Sequence, residues 1–309
     1  MRIVFMGSDE FACPCLDVLM SSTAYTVCGV VTQPDRPKGR SLKKNPCAVR
    51  AHLKNVSFPV ITPLDINESD QVNTLRMLSP ELIVVVAYGQ ILKPDILTLA
   101  PNGCINVHAS LLPKFRGSAP VQWAIARGET TTGVTTMYIN EAMDAGDIID
   151  QIMESIRTDD TAGTLSKRLA IHGACLLDRT LDAVHKKTVS RISQVEEQAT
   201  YAPKLKKSDG QIDWDLSAVE INNRIRGFNP WPGCYCEFPD GRIVRVLKAC
   251  VEEGSGISGS VLEARGDGPL IQTGKCALRL LELQPQGSKS MNGISFLCGH
   301  PIKEGERLL

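Results

Sequence analysis

Two residues in the apolar run Cys104-Ile-Asn-Val-His108 have side chains suited to chemistry. Asn106 and His108 are two positions apart, and alternate residues of an extended chain share a side. A carboxamide N–H can donate to an oxygen that gains negative charge, and an imidazole can move a proton or stabilise that charge. An amide beside an imidazole therefore suits acyl transfer. Asp144, in the turn Met143-Asp-Ala-Gly-Asp147, could orient His108, favour its charged form or hold a water for proton relay. Read singly, each residue also has a plain structural role, and an Asp in D-x-G-D commonly just forms the turn. No Ser or Cys with a nucleophile signature stands out, so direct transfer is expected rather than a covalent intermediate.

The elements that must position these residues read as an α/β pattern. Apolar runs at Arg2–Met6, Thr26–Thr32, Leu82–Ala87 and Cys104–Val107 read as buried strands. Helical segments are expected at Phe11–Met20, Pro46–Lys54 and Ser69–Met77. Apolar strands alternating with helices predict a doubly wound, mostly parallel, Rossmann-like sheet covered on both faces. Such sheets bind ligands at the carboxyl ends of their strands, where Asn106 and His108 sit. Gly133–Ile139 and Ile148–Ile156 read as further strands, and Thr161–Lys187 as a long amphipathic helix. From Cys234 onward, short β-rich runs punctuated by glycine predict a small, OB-like barrel. The expected organisation is a catalytic domain over 1–187, a linker over 188–208 and a β-barrel domain over 209–309.

Several classes are disfavoured. The first strand runs into Met6-Gly-Ser-Asp-Glu10, without G-x-G-x-x-G, and two carboxylates stand where a pyrophosphate would need bare amides. The 34 basic and 34 acidic residues cancel, so a globally basic nucleic-acid binder is not indicated. The 11 cysteines include no C-x-x-C and the five histidines are scattered, so no metal is expected. Neither a secretory leader nor an apolar run long enough to span a bilayer is evident. Reduced cysteines and a cytoplasmic location are expected.

The run INVHASLLPKFRGSAPVQW, followed by MDAGDI, resembles the folate-dependent formyltransferases, which share an N-x-H strand, an S-L-L-P loop and a D-x-G-D turn. The resemblance implies 10-formyltetrahydrofolate as formyl donor and Asn106, His108 and Asp144 as the catalytic set. It implies a folate-binding loop of Ser110, Leu111, Leu112 and Pro113. The strand end Val85-Val86-Ala87-Tyr88-Gly89 would line the pterin pocket. Lys114-Phe115 departs from the family's usual Arg followed by an aromatic, and Ser118 from a common Ala.

The motif does not choose the acceptor. From Arg36 to Arg50 the chain carries six basic residues and no acidic one. Such a run is ordinarily a solvated face, but on the carboxyl edge of the sheet it also suits phosphate contacts. The pattern TQPDRPKGR resembles an insertion in those family members that act on tRNA-bound methionine. The implied acceptor is initiator methionyl-tRNA, contacted by Arg36, Lys38, Arg40, Lys43 and Lys44, with Lys204, Lys206 and Lys207 adding phosphate contacts. The segments Ile212-Asp-Trp214, Ile225-Arg-Gly-Phe-Asn-Pro-Trp-Pro-Gly233 and Leu283-Gln-Pro-Gln-Gly287 resemble the same members' C-terminal, tRNA-binding barrel. Phe228 and Trp231 could stack on bases, although the flanking prolines favour packing. A monomer is expected. The alternatives are a 10-formyltetrahydrofolate hydrolase, an amino-sugar formyltransferase, or a non-catalytic nucleic-acid-binding protein.

Overall fold

A computed structural model describes residues 1–38 and 43–309, with backbone only at 36–38 and 43–44. Its residues cluster into two compact units, one of 1–120, 131–155 and 166–203, the other of 121–130, 156–165 and 204–309.

The first unit is built on β1 (Arg2–Gly7), β2 (Thr26–Val31), β3 (Arg36–Lys38), β4 (Lys43–Asn45), β5 (Val60–Ile61), β6 (Leu82–Val86), β7 (Cys104–His108), β8 (Thr131–Tyr138) and β9 (Ile148–Ser155). Seven of these strands form one sheet in the order β5-β2-β1-β6-β7-β8-β9. The pairs from β5 to β7 are parallel, whereas β7/β8 and β8/β9 are antiparallel. The expected doubly wound, mostly parallel sheet is therefore present, with an antiparallel edge. Every residue of β6 is buried, as is all of β1 after Arg2. Each fully buried aliphatic side chain contributes about 1.5–3 kcal/mol, which explains why these central strands are apolar on both faces.

Strand order reverses between β1 and β6, so loops leaving their carboxyl ends diverge and open a crevice. The basic segment, read from sequence as a loop, instead pairs as the hairpin β3/β4, with Arg36 opposite Asn45 and Lys38 opposite Lys43. Arg40 lies outside the described residues. The helix Ala162–Lys186 buries Leu169, Leu176, Leu177, Leu181 and Val184 along one stripe, as its periodicity predicts.

The second unit carries β10 (Cys234–Glu237), β11 (Ile243–Glu252), β12 (Val261–Glu263), β13 (Leu270–Gln272), β14 (Ala277–Pro285) and β15 (Met291–Asn292). They form one antiparallel sheet, β10-β11-β14-β13-β12, with β15 also on β14. Register shifts in β11 around Lys248 mark a bulge, which bends a strand and raises its twist. The arrangement agrees with the expected small barrel-like domain. Phe228 is fully buried and meets Trp123 edge-on at 5.5 Å, so its ring packs the core. Trp231 is 54% exposed.

Among the described residues no helix is long and apolar enough to cross a membrane. No group of three or more His, Cys, Asp or Glu among them could hold a metal ion.

Candidate active site

Strand β7 delivers Asn106 and His108 to its carboxyl end, and the turn between β8 and β9 delivers Asp144. The three side chains converge, as alternation along β7 requires. Asn106 Nδ2 donates to Asp144 Oδ1 at 3.4 Å. His108 Nδ1 lies 3.7 Å from Asp144 Oδ2. That oxygen also accepts from the Gly117 amide at 2.9 Å. One carboxylate thus links the amide, the imidazole and the loop after S-L-L-P.

The state of the imidazole follows from its other nitrogen. His108 Nε2 is 3.0 Å from the carbonyl oxygen of Phe115. A carbonyl only accepts, so Nε2 must carry a hydrogen. Nδ1 is thereby turned towards Asp144 Oδ2, at a separation too long for a full hydrogen bond, in a site where His108 is only 6% exposed.

Backbone strain gathers here. Ala87, Phe115 and Asp144 have φ of 46°, 60° and 50°, in the left-handed region that non-glycine residues seldom occupy. Such conformations persist only where the surroundings hold them. Gly146 is required for a different reason: a Cβ there would stand 1.9 Å from the Tyr138 carbonyl oxygen.

The S-L-L-P loop is pinned from below. Thr135 Oγ1 donates to the Ser110 carbonyl at 2.6 Å and accepts from the Leu112 amide at 3.1 Å. Gln151 Nε2 donates to that hydroxyl at 2.9 Å and to the Leu112 carbonyl at 3.0 Å. Ser110 Oγ donates to the Lys114 carbonyl at 2.6 Å, so this hydroxyl shapes the loop. Leu112 is buried beside Met137 and Ile148, while Leu111 and Pro113 remain partly exposed.

At the end of β6, Val86 is fully buried, and the Tyr88 ring packs into the core among Ile66, Leu75 and Leu92. Burial pushes its phenol above the ordinary value of 10.0, with Asp65 adding to the shift. Ala87 and Gly89 are the exposed members of the predicted pterin-lining stretch. Ser8 Oγ and Gln33 Nε2 both donate to the Tyr88 carbonyl, at 3.2 and 3.3 Å. These bonds line a cavity of about 500 Å³ whose walls include Asp9, Glu10, Gly89 and Cys47. Pro34, just before the basic hairpin, and Asn45, the last residue of β4, also line it. Arg50 is paired with Asp35 at 3.1 Å across the hairpin's base.

Cys104, on β7, is buried, and that burial pushes its thiol up to about 12, which disfavours the thiolate. All 11 cysteines are free thiols. Lys204, Lys206 and Lys207, in the second unit, are exposed around the buried Leu205.

Sequence patterns gave no sign of Thr135, Gln151, Arg116 and Gln194. Arg116 is 2% exposed and donates through Nη1 to both carboxylate oxygens of Glu196, at 3.0 and 2.8 Å. Gln194 and Glu196 belong to the stretch read from sequence as a linker. That stretch hydrogen-bonds to a site loop and to β9: Phe115 N donates to Thr200 Oγ1 at 2.9 Å, and Ile192 bridges Ile148.

Comparison with known proteins adds to this geometry. The family model described as Formyl transferase matches residues 1–181, and the one described as Formyl transferase, C-terminal domain, matches 204–301. The chain is 45% identical to the methionyl-tRNA formyltransferase of Pelotomaculum thermopropionicum, over 99% of this chain and 97% of that protein. It is 42% identical to the protein of the same name from Geobacter sulfurreducens, over 100% of this chain and 96% of that one. Among solved structures, an N-formyltransferase from Helicobacter canadensis in complex with folinic acid and dTDP-3-aminofucose superposes with a TM-score of 0.65. That match has 19% identity and covers 91% of this chain and 99% of the other. HypX from Aquifex aeolicus in complex with tetrahydrofolic acid superposes with a TM-score of 0.63 at 18% identity, over 98% of this chain and 48% of HypX. These distant structures share the fold.

Proposed function

The chain belongs to the formyl transferase family, and from that premise we propose that it moves the formyl group of 10-formyltetrahydrofolate onto the α-amine of initiator methionyl-tRNA. Identity of 41–45% over nearly the whole length of relatives named methionyl-tRNA formyltransferase supports this acceptor over an amino sugar or water. The observation that carries the chemistry is the convergence of Asn106 and His108 on the two oxygens of the Asp144 carboxylate.

The roles follow from the hydrogens each group has to give. Asn106 Nδ2 carries two, and Asp144 takes one at 3.4 Å, which leaves the second for the formyl oxygen. His108 donates from Nδ1 to the same oxygen as it gains charge, since the 3.7 Å gap leaves that hydrogen uncommitted. Asp144, facing the His108 ring, accepts the proton that the α-amine loses on adding to the formyl carbon, directly or through water. The C–N10 bond breaks as N10 takes up the proton that Asp144 accepted, directly or through water, so tetrahydrofolate and the formylated amine leave and the carboxylate is restored with atoms and charge balanced.

The S-L-L-P loop, with Leu111 and Pro113 partly exposed, and the open backbone at Ala87 and Gly89 would receive the folate. The hairpin bearing Arg36, Lys38, Lys43 and Lys44 rises from residues that line the cavity beside Gly89, which supports a role in holding the phosphates of the acceptor arm. Arg40, and separately the exposed Lys204, Lys206 and Lys207 of the second unit, are proposed to make further phosphate contacts.

The test is the fate of a labelled formyl group. Incubation of labelled 10-formyltetrahydrofolate with charged initiator tRNA is expected to put the label on the tRNA. Label released as formate without any acceptor points to a hydrolase. Absence of folate binding points to a non-catalytic nucleic-acid-binding protein.

A further inference from the structure

Within the first unit, two side chains of the stretch from Ile192 to Ala202 reach the turn Met143–Asp147: Ser193 Oγ donates to Asp147 Oδ1 at 3.0 Å, and Gln194 holds the turn's backbone. Gln194 Nε2 donates one hydrogen to the Asp144 carbonyl at 2.9 Å and the other to the Gly146 carbonyl at 2.8 Å. Its Oε1 accepts from Arg116 Nε at 3.1 Å. Only one orientation of the amide fits. Turned over, its oxygen would face two carbonyl oxygens and its NH₂ a guanidinium.

Arg116 is itself fixed. Glu196 holds its guanidinium, and its backbone exchanges hydrogen bonds with Thr200 at 2.8 Å and Ala202 at 2.7 Å. The two Gln194 bonds straddle Ala145 and hold the carbonyls on either side of it. Asp144 sits there at φ 50°, a conformation its neighbours must maintain. Its carboxylate then points at Asn106, Gly117 and His108. Gln194 therefore acts on the site through the turn, its side-chain hydrogen bonds going to Asp144, Gly146 and Arg116.

We propose that Gln194 is a positioning residue for formyl transfer: its amide locks the Asp144 turn and so sets the carboxylate between Asn106 and His108. The proposal rests on the catalytic roles given above.

Two variants test it. Gln194→Glu keeps the size and the oxygen facing Arg116, but puts an oxygen against the Asp144 and Gly146 carbonyls. Gln194→Ala removes all three bonds. Both are expected to lower kcat by about 10–100-fold while KM for the folate and for the tRNA stays within about twofold. In an Asp144→Asn background, Gln194→Glu is expected to cost less than about twofold more, because the two residues act through one carboxylate. A role in packing alone would leave Gln194→Glu close to wild type, and that result overturns the proposal. So does a full, multiplicative loss in the Asp144→Asn background. Should Gln194→Ala unfold, the isosteric Glu variant decides. A wild-type protein that transfers no formyl group at all overturns the reading of the site, and this is seen before any variant is made.

Discussion

His108 Nδ1 faces Asp144 Oδ2 at 3.7 Å while its Nε2 is committed to the Phe115 carbonyl. The ring is therefore held at one nitrogen and offered at the other. Loss of the ring should be felt where charge develops and hardly at all in substrate binding. His108→Ala is expected to reduce kcat by roughly 10²–10³ with KM for the folate within about twofold. Steady-state kinetics check this, and near wild-type turnover would remove His108 from the mechanism.

Gly146 makes the turn that carries Asp144 sterically possible. A methyl group there would stand 1.9 Å from the Tyr138 carbonyl oxygen, so the turn must move. Gly146→Ala is expected to lower stability by about 1–3 kcal/mol. Transfer should fall as well, since Asp144 moves with the turn. Urea denaturation and single-turnover rates measure the two effects. A variant as stable and as fast as wild type would show that the turn has room.

The basic hairpin should report through salt. Removing a lysine that neutralises a phosphate is expected to reduce the slope of log K for tRNA against log[salt] by about 1. Replacing Lys43 and Lys44 with Ala should therefore flatten the slope and weaken binding. The folate KM should stay unchanged, because both residues lie on β4 and outside the folate loop. An unaltered slope would place the tRNA elsewhere.

Alkaline stability should reveal the buried thiols. Burial pushes Cys15, Cys104, Cys234 and Cys236 from an ordinary 9.0 to about 12. In the unfolded chain these groups lose their protons near pH 9, while the folded protein keeps them until about 12. Their stabilising effect is thus complete below pH 9 and lost as pH rises towards 12. Each ionising thiol contributes a slope of about 1.4 kcal/mol per pH unit. A Cys104→Ala variant should lose stability more gently than wild type, by about that slope, between roughly pH 9.5 and 11. Parallel curves from urea titrations would contradict the role of burial.

Much of this was legible in the residues. Period-two spacing puts Asn106 and His108 on one side, and apolar runs such as Leu82–Val86 mark strands covered on both faces. The basic hairpin was not legible, because Arg, Pro and Lys are poor strand formers and only cross-strand pairing reveals it. Nor was Gln194, 50 residues from the turn it holds, since a side-chain bond of that span leaves no local pattern. Tyr88 shows a third limit: sequence places it beside the crevice, but the left-handed backbone at Ala87 precedes a ring that lies in the core.

The Asp144 carboxylate joins Asn106 and His108 at one point, and everything proposed for the chemistry depends on that junction. Asp144→Asn keeps the side chain's size and removes its charge. The decisive quantity is the single-turnover rate of formyl transfer from 10-formyltetrahydrofolate to methionyl-tRNA, wild type against this variant. A loss of at least about 10²-fold is expected, with both substrates still bound. Transfer by Asp144→Asn at the wild-type rate would contradict the role given to the carboxylate.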